Sequence, residues 1–179
     1  MANIEHFKSN LTGGGARANQ FEVIINFPAI AMAGGVASKF QFLCKATSLP
    51  ASTIGVAEVP YRGRILKVAG DRTYEDWETT VLNDTDFAIR NAVERWMDGM
   101  DRTLIEASNV TNPLLYQSSA TVHQLDRSGA KLKTYNFFGL MPTAIAAVDL
   151  AYDSNDAVEE FGITWAYNYF TSNNPTTTV

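Results

Sequence analysis

The sequence predicts a mainly β protein, an antiparallel β-barrel or sandwich with one flanking α-helix. Three observations carry this. Several short segments alternate apolar and polar residues with the period of a half-buried strand. One stretch alone carries a convincing helical period. No internal repeat and no linker divides the 179 residues, so the strands share one core. Closing a barrel or stacking two sheets is the way to bury so many one-sided strands.

Residues 1–18 read as an N-terminal arm. Ile4, Phe7 and Leu11 have helical spacing, and Gly13-Gly14-Gly15 breaks it. Such an arm is disordered or docks on a neighbour. The main domain spans 19–170. Phe21, Val23, Ile25 and Phe27 alternate with Glu22 and Asn26, giving a first strand. A Gly/Ala-rich loop, Ala29 to Gly35, follows. Phe40, Phe42, Cys44 and Ala46 then alternate with Gln41, Lys45 and Thr47 and predict a second strand, closed by Pro50.

Residues 49–70 form a long, Pro- and Gly-punctuated extended segment. Ser52 to Val59 and Arg64 to Val68 predict two extended arms meeting around Pro60-Tyr61-Arg62-Gly63. Their apolar residues Ile54, Val56, Val59, Tyr61, Ile65 and Leu66 are too many for a freely solvated loop. The segment is either a hairpin of its own domain or an arm that docks on an adjacent subunit. Trp77 to Leu82 is the next strand.

The helix is predicted over 84–99. Asp84 or Thr85 caps it, and Ile89, Ala92, Val93, Trp96 and Met100 recur at helical spacing. Gly99 interrupts the pattern near the end. A polar connection runs to about Gln117. Ser119 to Leu125 and Ala130 to Phe138 predict a hairpin across Asp126-Arg127-Ser128-Gly129. The last strand places Phe161, Ile163, Trp165, Tyr167 and Tyr169 on one face. The C-terminal tail, 171–179, is polar.

Composition narrows the function. Net charge is -5, with no Lys/Arg-rich run, which disfavours a DNA reader or a polybasic membrane binder. One cysteine, Cys44, rules out an intramolecular disulfide and a multi-cysteine zinc site. The sequence MANIEHFKSNLTGGG lacks an apolar signal core, and no apolar run is long enough to span a bilayer. Charged residues make up 18%, against about 25% in typical soluble domains, which leaves surface for burial against partners.

Motifs that could carry chemistry fall short. Gly13-Gly14-Gly15-Ala16-Arg17-Ala18 precedes a strand, where a dinucleotide loop needs a strand before it and a helix after it. His6 and His123 are the only histidines, and His123 sits in a strand. Asp84-Thr85-Asp86 and Asp153-Ser154-Asn155-Asp156 lack the glycine and terminal glutamate of a calcium loop. The aromatic stripe of the last strand has no basic residues beside it, so it reads as core and not as a base-stacking platform. No catalytic residue, cofactor or metal ligand is assigned.

Three stretches resemble the tail tube family of T4-like bacteriophages. They are Gln41-Phe42-Leu43-Cys44-Lys45-Ala46-Thr47-Ser48-Leu49-Pro50-Ala51, Lys67-Val68-Ala69-Gly70-Asp71-Arg72-Thr73-Tyr74-Glu75-Asp76-Trp77, and Gly139-Leu140-Met141-Pro142-Thr143 with Leu150 to Asn155 and Phe161 to Tyr169. Order and spacing match from about Asn19 to Phe170. Residues 83–96 look closest to tubes of T4-like cyanophages. The Ala29 to Gly35 insertion and the polar tail depart from the family pattern.

The resemblance implies a structural virion protein and not an enzyme. Its subunits would join into hexameric rings that stack into the inner tail tube, assembled in the bacterial host cytoplasm. Implied partners are further copies, the tail sheath protein, the tape measure protein, and baseplate and tail terminator proteins. DNA would pass through the lumen without specific binding, and no membrane is involved. Residues 49–70 would be the inter-subunit arm, with Ile54, Val56, Val59, Tyr61, Ile65, Asp71 and Arg72 as contacts and Gly70 supplying an unusual backbone angle. The alternatives are a tube of a contractile injection particle, a baseplate-proximal initiating ring, and a small β-barrel hydrolase or ligand-binding domain.

Overall fold

The computed structural model describes residues 3–11, 15–31, 34–100, 112–153 and 157–173. Its strands are β1 (Phe21–Ile25), β2 (Cys44–Thr47), β3 (Ser52–Tyr61), β4 (Arg64–Tyr74), β5 (Trp77–Leu82), β6 (Ser118–Leu125), β7 (Lys131–Ile145), β8 (Glu160–Ala166) and β9 (Tyr169–Asn173). Its helices are α1 (Ile4–Asn10), α2 (Val36–Leu43), α3 (Ala88–Met100) and the single turn α4 (Pro113–Tyr116). Seven strands form one antiparallel sheet of order β1-β6-β7-β8-β5-β2, with β9 also on β7, while β3 and β4 pair only with each other.

β7 is the spine. Its first half pairs with β6 and β9, and its second half with β8, which carries β5 and β2. It turns at Gly139, where φ is +69° and a Cβ would overlap the Asn168 side chain. The Asn168 N–H donates to the Phe138 carbonyl at 2.9 Å across that point. The inner faces of the two halves then meet: the Trp77 ring stacks on Phe137 at 4.5 Å between centroids.

Val23, Ile25, Val122 and Phe137 come to this core from one half, and Trp77, Val81, Phe161, Ile163 and Trp165 from the other. The helices cover the open side. α2 packs against β1, β2 and β5, bringing Phe40 to 6.4 Å from Trp165. α3 brings Trp96 to 5.7 Å from Trp165, and the Trp96 indole N–H donates to the Tyr116 carbonyl at 2.7 Å. A fully buried tryptophan contributes at most about 4–6 kcal/mol by area, and Trp77, Trp96 and Trp165 all reach that state.

Four expectations change. The second strand is confined to Cys44–Thr47, because Val36 and Phe40, four residues apart, share the buried face of α2. Phe42 then points outward and is 81% exposed, so its alternation with Phe40 had no strand behind it. Residues 84–87 are a turn and not the start of the helix. The Phe87 N–H donates to the Asp84 carbonyl at 2.9 Å, Phe87 adopts φ 51°, and the Asp86 carboxylate accepts from the Ala88 N–H at 3.0 Å. Asp86 therefore caps α3 in place of Asp84 or Thr85.

The last strand breaks at Tyr167-Asn168 into β8 and β9, so Tyr169 leaves the core face and is 47% exposed. The Ala29 to Gly35 loop contains a 3-10 turn, Ala29–Ala31. Gly13-Gly14, residues 101–111 of the polar connection, Ser154 to Asp156, and 174–179 of the tail lie outside the described residues.

Candidate functional site

The segment with the least structural role in its own domain is the β3–β4 hairpin. Its turn is the two-residue Arg62-Gly63, with φ values of 48° and 81°. Two positive φ angles match the primed turns whose twist suits paired strands. The ten residues of β3 extend about 33 Å. Every residue of β3 is exposed, and so is every residue of β4 except Tyr74 at the base. The base is anchored by aromatics, with Tyr74 at 5.6 Å from Phe170 and 5.8 Å from Tyr167.

The register sorts the side chains onto two faces. Tyr61 opposite Arg64, Val59 opposite Leu66 and Ala57 opposite Val68 lie on one face. Pro60 opposite Ile65, Glu58 opposite Lys67, Val56 opposite Ala69 and Ile54 opposite Arg72 lie on the other. Glu58 and Lys67 form an exposed ion pair at 3.8 Å in the middle of the second face, Arg72 ends that face at the base, and Arg64 ends the first face at the tip. Both faces are otherwise apolar. A strand pair resting on one surface needs one apolar face, and an arm meant for solvent needs none.

The ladder shifts between Ile54 and Val56, leaving Gly70 and Asp71 opposite Gly55. A Cβ on Gly70 would lie 3.1 Å from the Gly55 carbonyl oxygen. Gly70 does not hold a left-handed angle. Its glycine is required by the close approach of the two backbones, which corrects the expectation of an unusual φ. The bulge bends the arm between base and tip. Asp71 sits at the bulge and Arg72 just past it, both exposed and without an ion pair among the described residues. The return strand runs to Tyr74, four residues beyond the predicted end of the segment at Gly70.

Ile54, Val56, Val59, Tyr61 and Ile65 are thus all on this one hairpin, with Ile54, Val56 and Ile65 sharing a face. Sequence reading passed over Ala57, Val68 and Ala69. Their alternation within β3 and β4 was visible, but the bulge that sets their faces was not.

Other polar sites have structural partners. His123 is 7% exposed, its Nδ1 lies 2.8 Å from Thr134 Oγ1, and the Lys131 ammonium donates to its Nε2 at 3.0 Å. An imidazole that accepts at Nε2 carries its proton on Nδ1 and donates to Thr134. Burial, then the Lys131 charge, holds its pKa below the ordinary value, against a smaller opposing pull from Glu22. Burial pushes the Cys44 thiol up to about 12, so it is unreactive at neutral pH. Asp84 and Asp86 both bind the Lys39 ammonium. Among the described residues no cluster of three or more His, Cys, Asp or Glu side chains is arranged to hold a metal, and no helix is long and apolar enough to cross a membrane.

The sequence matches the phage tail tube protein family over residues 16–173. The tail tube protein gp19 of Enterobacteria phage T4 is 33% identical over 162 residues, covering 89% of this chain and 93% of its own. The tail tube protein of Serratia phage KSP90 is 25% identical over 163 residues, covering 90% and 92%. Among solved structures, a chain of the anti-feeding prophage baseplate superposes with a TM-score of 0.64 at 14% identity, covering 90% of this chain and 97% of that one. A chain of an extracellular contractile injection system, the PVC sheath-tube complex in its extended state, gives 0.60 at 13% identity, covering 93% and 97%. At such identities the structural likeness concerns the fold.

Proposed function

The chain belongs to the phage tail tube protein family, and from that premise we propose that its copies join through the β3–β4 hairpin into hexameric rings that stack into a tube. It is a structural subunit of the tail tube and a component of the virion tail. The tube is the conduit for DNA ejection inside the contractile sheath. Its partners are the sheath, the tape measure protein, and the baseplate and terminator proteins at its two ends. It performs no catalysis.

The observation that supports this reading is the hairpin, which is exposed from its tip to Thr73 and carries apolar side chains on both faces. Its apolar side chains contribute nothing to the subunit's own core. Docked on a neighbouring copy, each is worth about 1.5–3 kcal/mol when fully buried. A heterologous contact of this kind closes into rings or continues as a filament.

The test replaces Ile54, Val56 and Ile65 together with serine. The expected product is a folded, soluble subunit with an unchanged circular-dichroism melt that builds no tubes in electron micrographs. Normal tubes from this variant would remove the hairpin from the contact. Outright unfolding would make it part of the domain's own core.

A further inference from the structure

Beyond the hairpin, the fold carries two exposed apolar surfaces of opposite charge, at opposite ends of β7. From Thr134 to Val179 the sequence has no lysine, arginine or histidine, and its acids are Asp149, Asp153, Asp156, Glu159 and Glu160. The loop that follows β7 exposes Leu150 by 80% and Tyr152 completely, with Val158 beside them. Asp149 and Asp153 flank those two side chains, are themselves exposed, and have no ion pair among the described residues. The hollow on one side of the loop has no basic side chain in its lining, and on the other side of Leu150 the one basic residue, Arg90, is ion-paired to Glu94.

At the start of β7 lies an apolar trough of about 390 Å³. Ala16, Leu49, Leu132 and Tyr135 give it apolar walls, and Arg17 and Lys133 supply its charge. Lys133 Nζ sits 5.2 Å over the Tyr135 ring, and neither Arg17 nor Lys133 is ion-paired among the described residues. No acid lines the trough.

We propose that the 148–153 loop of one copy docks in the trough of a second copy, Leu150 and Tyr152 entering the apolar walls while Asp149 and Asp153 meet Arg17 and Lys133. Leu150 and Tyr152 are exposed in the subunit, so the loop does not occupy the trough of its own chain. The two surfaces differ, so the contact is head-to-tail, of the kind that closes into a ring or continues along a tube. Charge pairing of this sort sets orientation and partner choice more than raw affinity. The proposal rests on the tail tube reading and adds a second contact to the hairpin's.

Charge exchange tests it. R17E/K133E reverses the trough and D149K/D153K reverses the loop. Each double variant alone should melt like the wild type and form at least tenfold fewer tubes. The two variants mixed in equal amounts, or all four substitutions in one chain, should restore assembly, because every junction again pairs opposite charges. Double variants that assemble normally would overturn the proposal, including the case in which they lose only sheath binding. Folded double variants whose mixture and quadruple combination both fail would overturn it as well. Wild-type protein that builds no tubes would instead sink the tail tube reading itself.

A second readout does not depend on charge. In L132C/Y152C, an added mild oxidant should link assembled copies into a covalent ladder, while buried Cys44 stays out of the reaction. Tubes of this variant that yield no ladder would contradict the contact.

Discussion

His123 shows how a single buried polar group makes stability depend on pH. Its folded-state pKa lies below the ordinary 6.5, because burial and the Lys131 charge disfavour imidazolium. The unfolded chain therefore binds the proton more readily than the native one. The stabilisation is fully present above about 6.5 and is lost as pH falls through that value toward the folded pKa. The melting temperature of the isolated subunit should drop across that window, and His123→Gln should flatten the drop. An unaltered pH profile in the variant would assign the effect elsewhere. Gly139 makes a second prediction. Its φ of +69° costs any side chain roughly 1–3 kcal/mol, and a Cβ there overlaps Asn168. Gly139→Ala should lower the unfolding free energy read from urea melts by at least that backbone cost. Sequence reading placed His123 in a strand, but neither its Thr134 and Lys131 partners nor the crossing of Gly139 by Asn168 follows from spacing, since both depend on register between distant segments.

Among the elements, β5 was legible to the residue, because Trp77, Thr79 and Val81 bury one face while Glu78 and Thr80 stay outside. The buried stripe of α3 was equally legible; its start was not, because the choice between Asp84, Thr85 and Asp86 as cap depends on the turn that Phe87 makes at positive φ. α2 was misread because two phenylalanines two residues apart imitate a strand, and only packing reveals that Phe42 faces out. The hairpin was recognisable from Pro60 to Gly63 and from its apolar excess. The bulge at Gly70-Asp71, which puts Ala69 and Arg72 on the same face, was not. Arg72, exposed opposite Ile54, offers a planar fork to a neighbour's carboxylate or carbonyls, a geometry that lysine does not reproduce. Arg72→Lys should reduce tube number while the melting temperature of the subunit changes little. A lower melting temperature with normal tube counts would make Arg72 a residue of the subunit alone.

For the molecule as a whole, fold class and family followed from the alternating segments and from the matched stretches between Asn19 and Phe170. The path of β7 through both halves of the sheet did not, because a strand that changes partners at one glycine leaves no periodic signature. The net charge of -5 suits a conduit. A wall that neutralised several phosphates would bind DNA with a steep salt dependence and hold it back. Fluorescence anisotropy with duplex DNA at physiological salt should therefore show little binding; micromolar affinity with a steep salt slope would contradict a passive lumen. The central claim, that this chain is a self-assembling tube subunit, is tested most directly by electron microscopy of the purified protein at high concentration across a range of salt. Rings or tubes of uniform diameter are predicted. A species that stays monomeric under every condition would contradict the account.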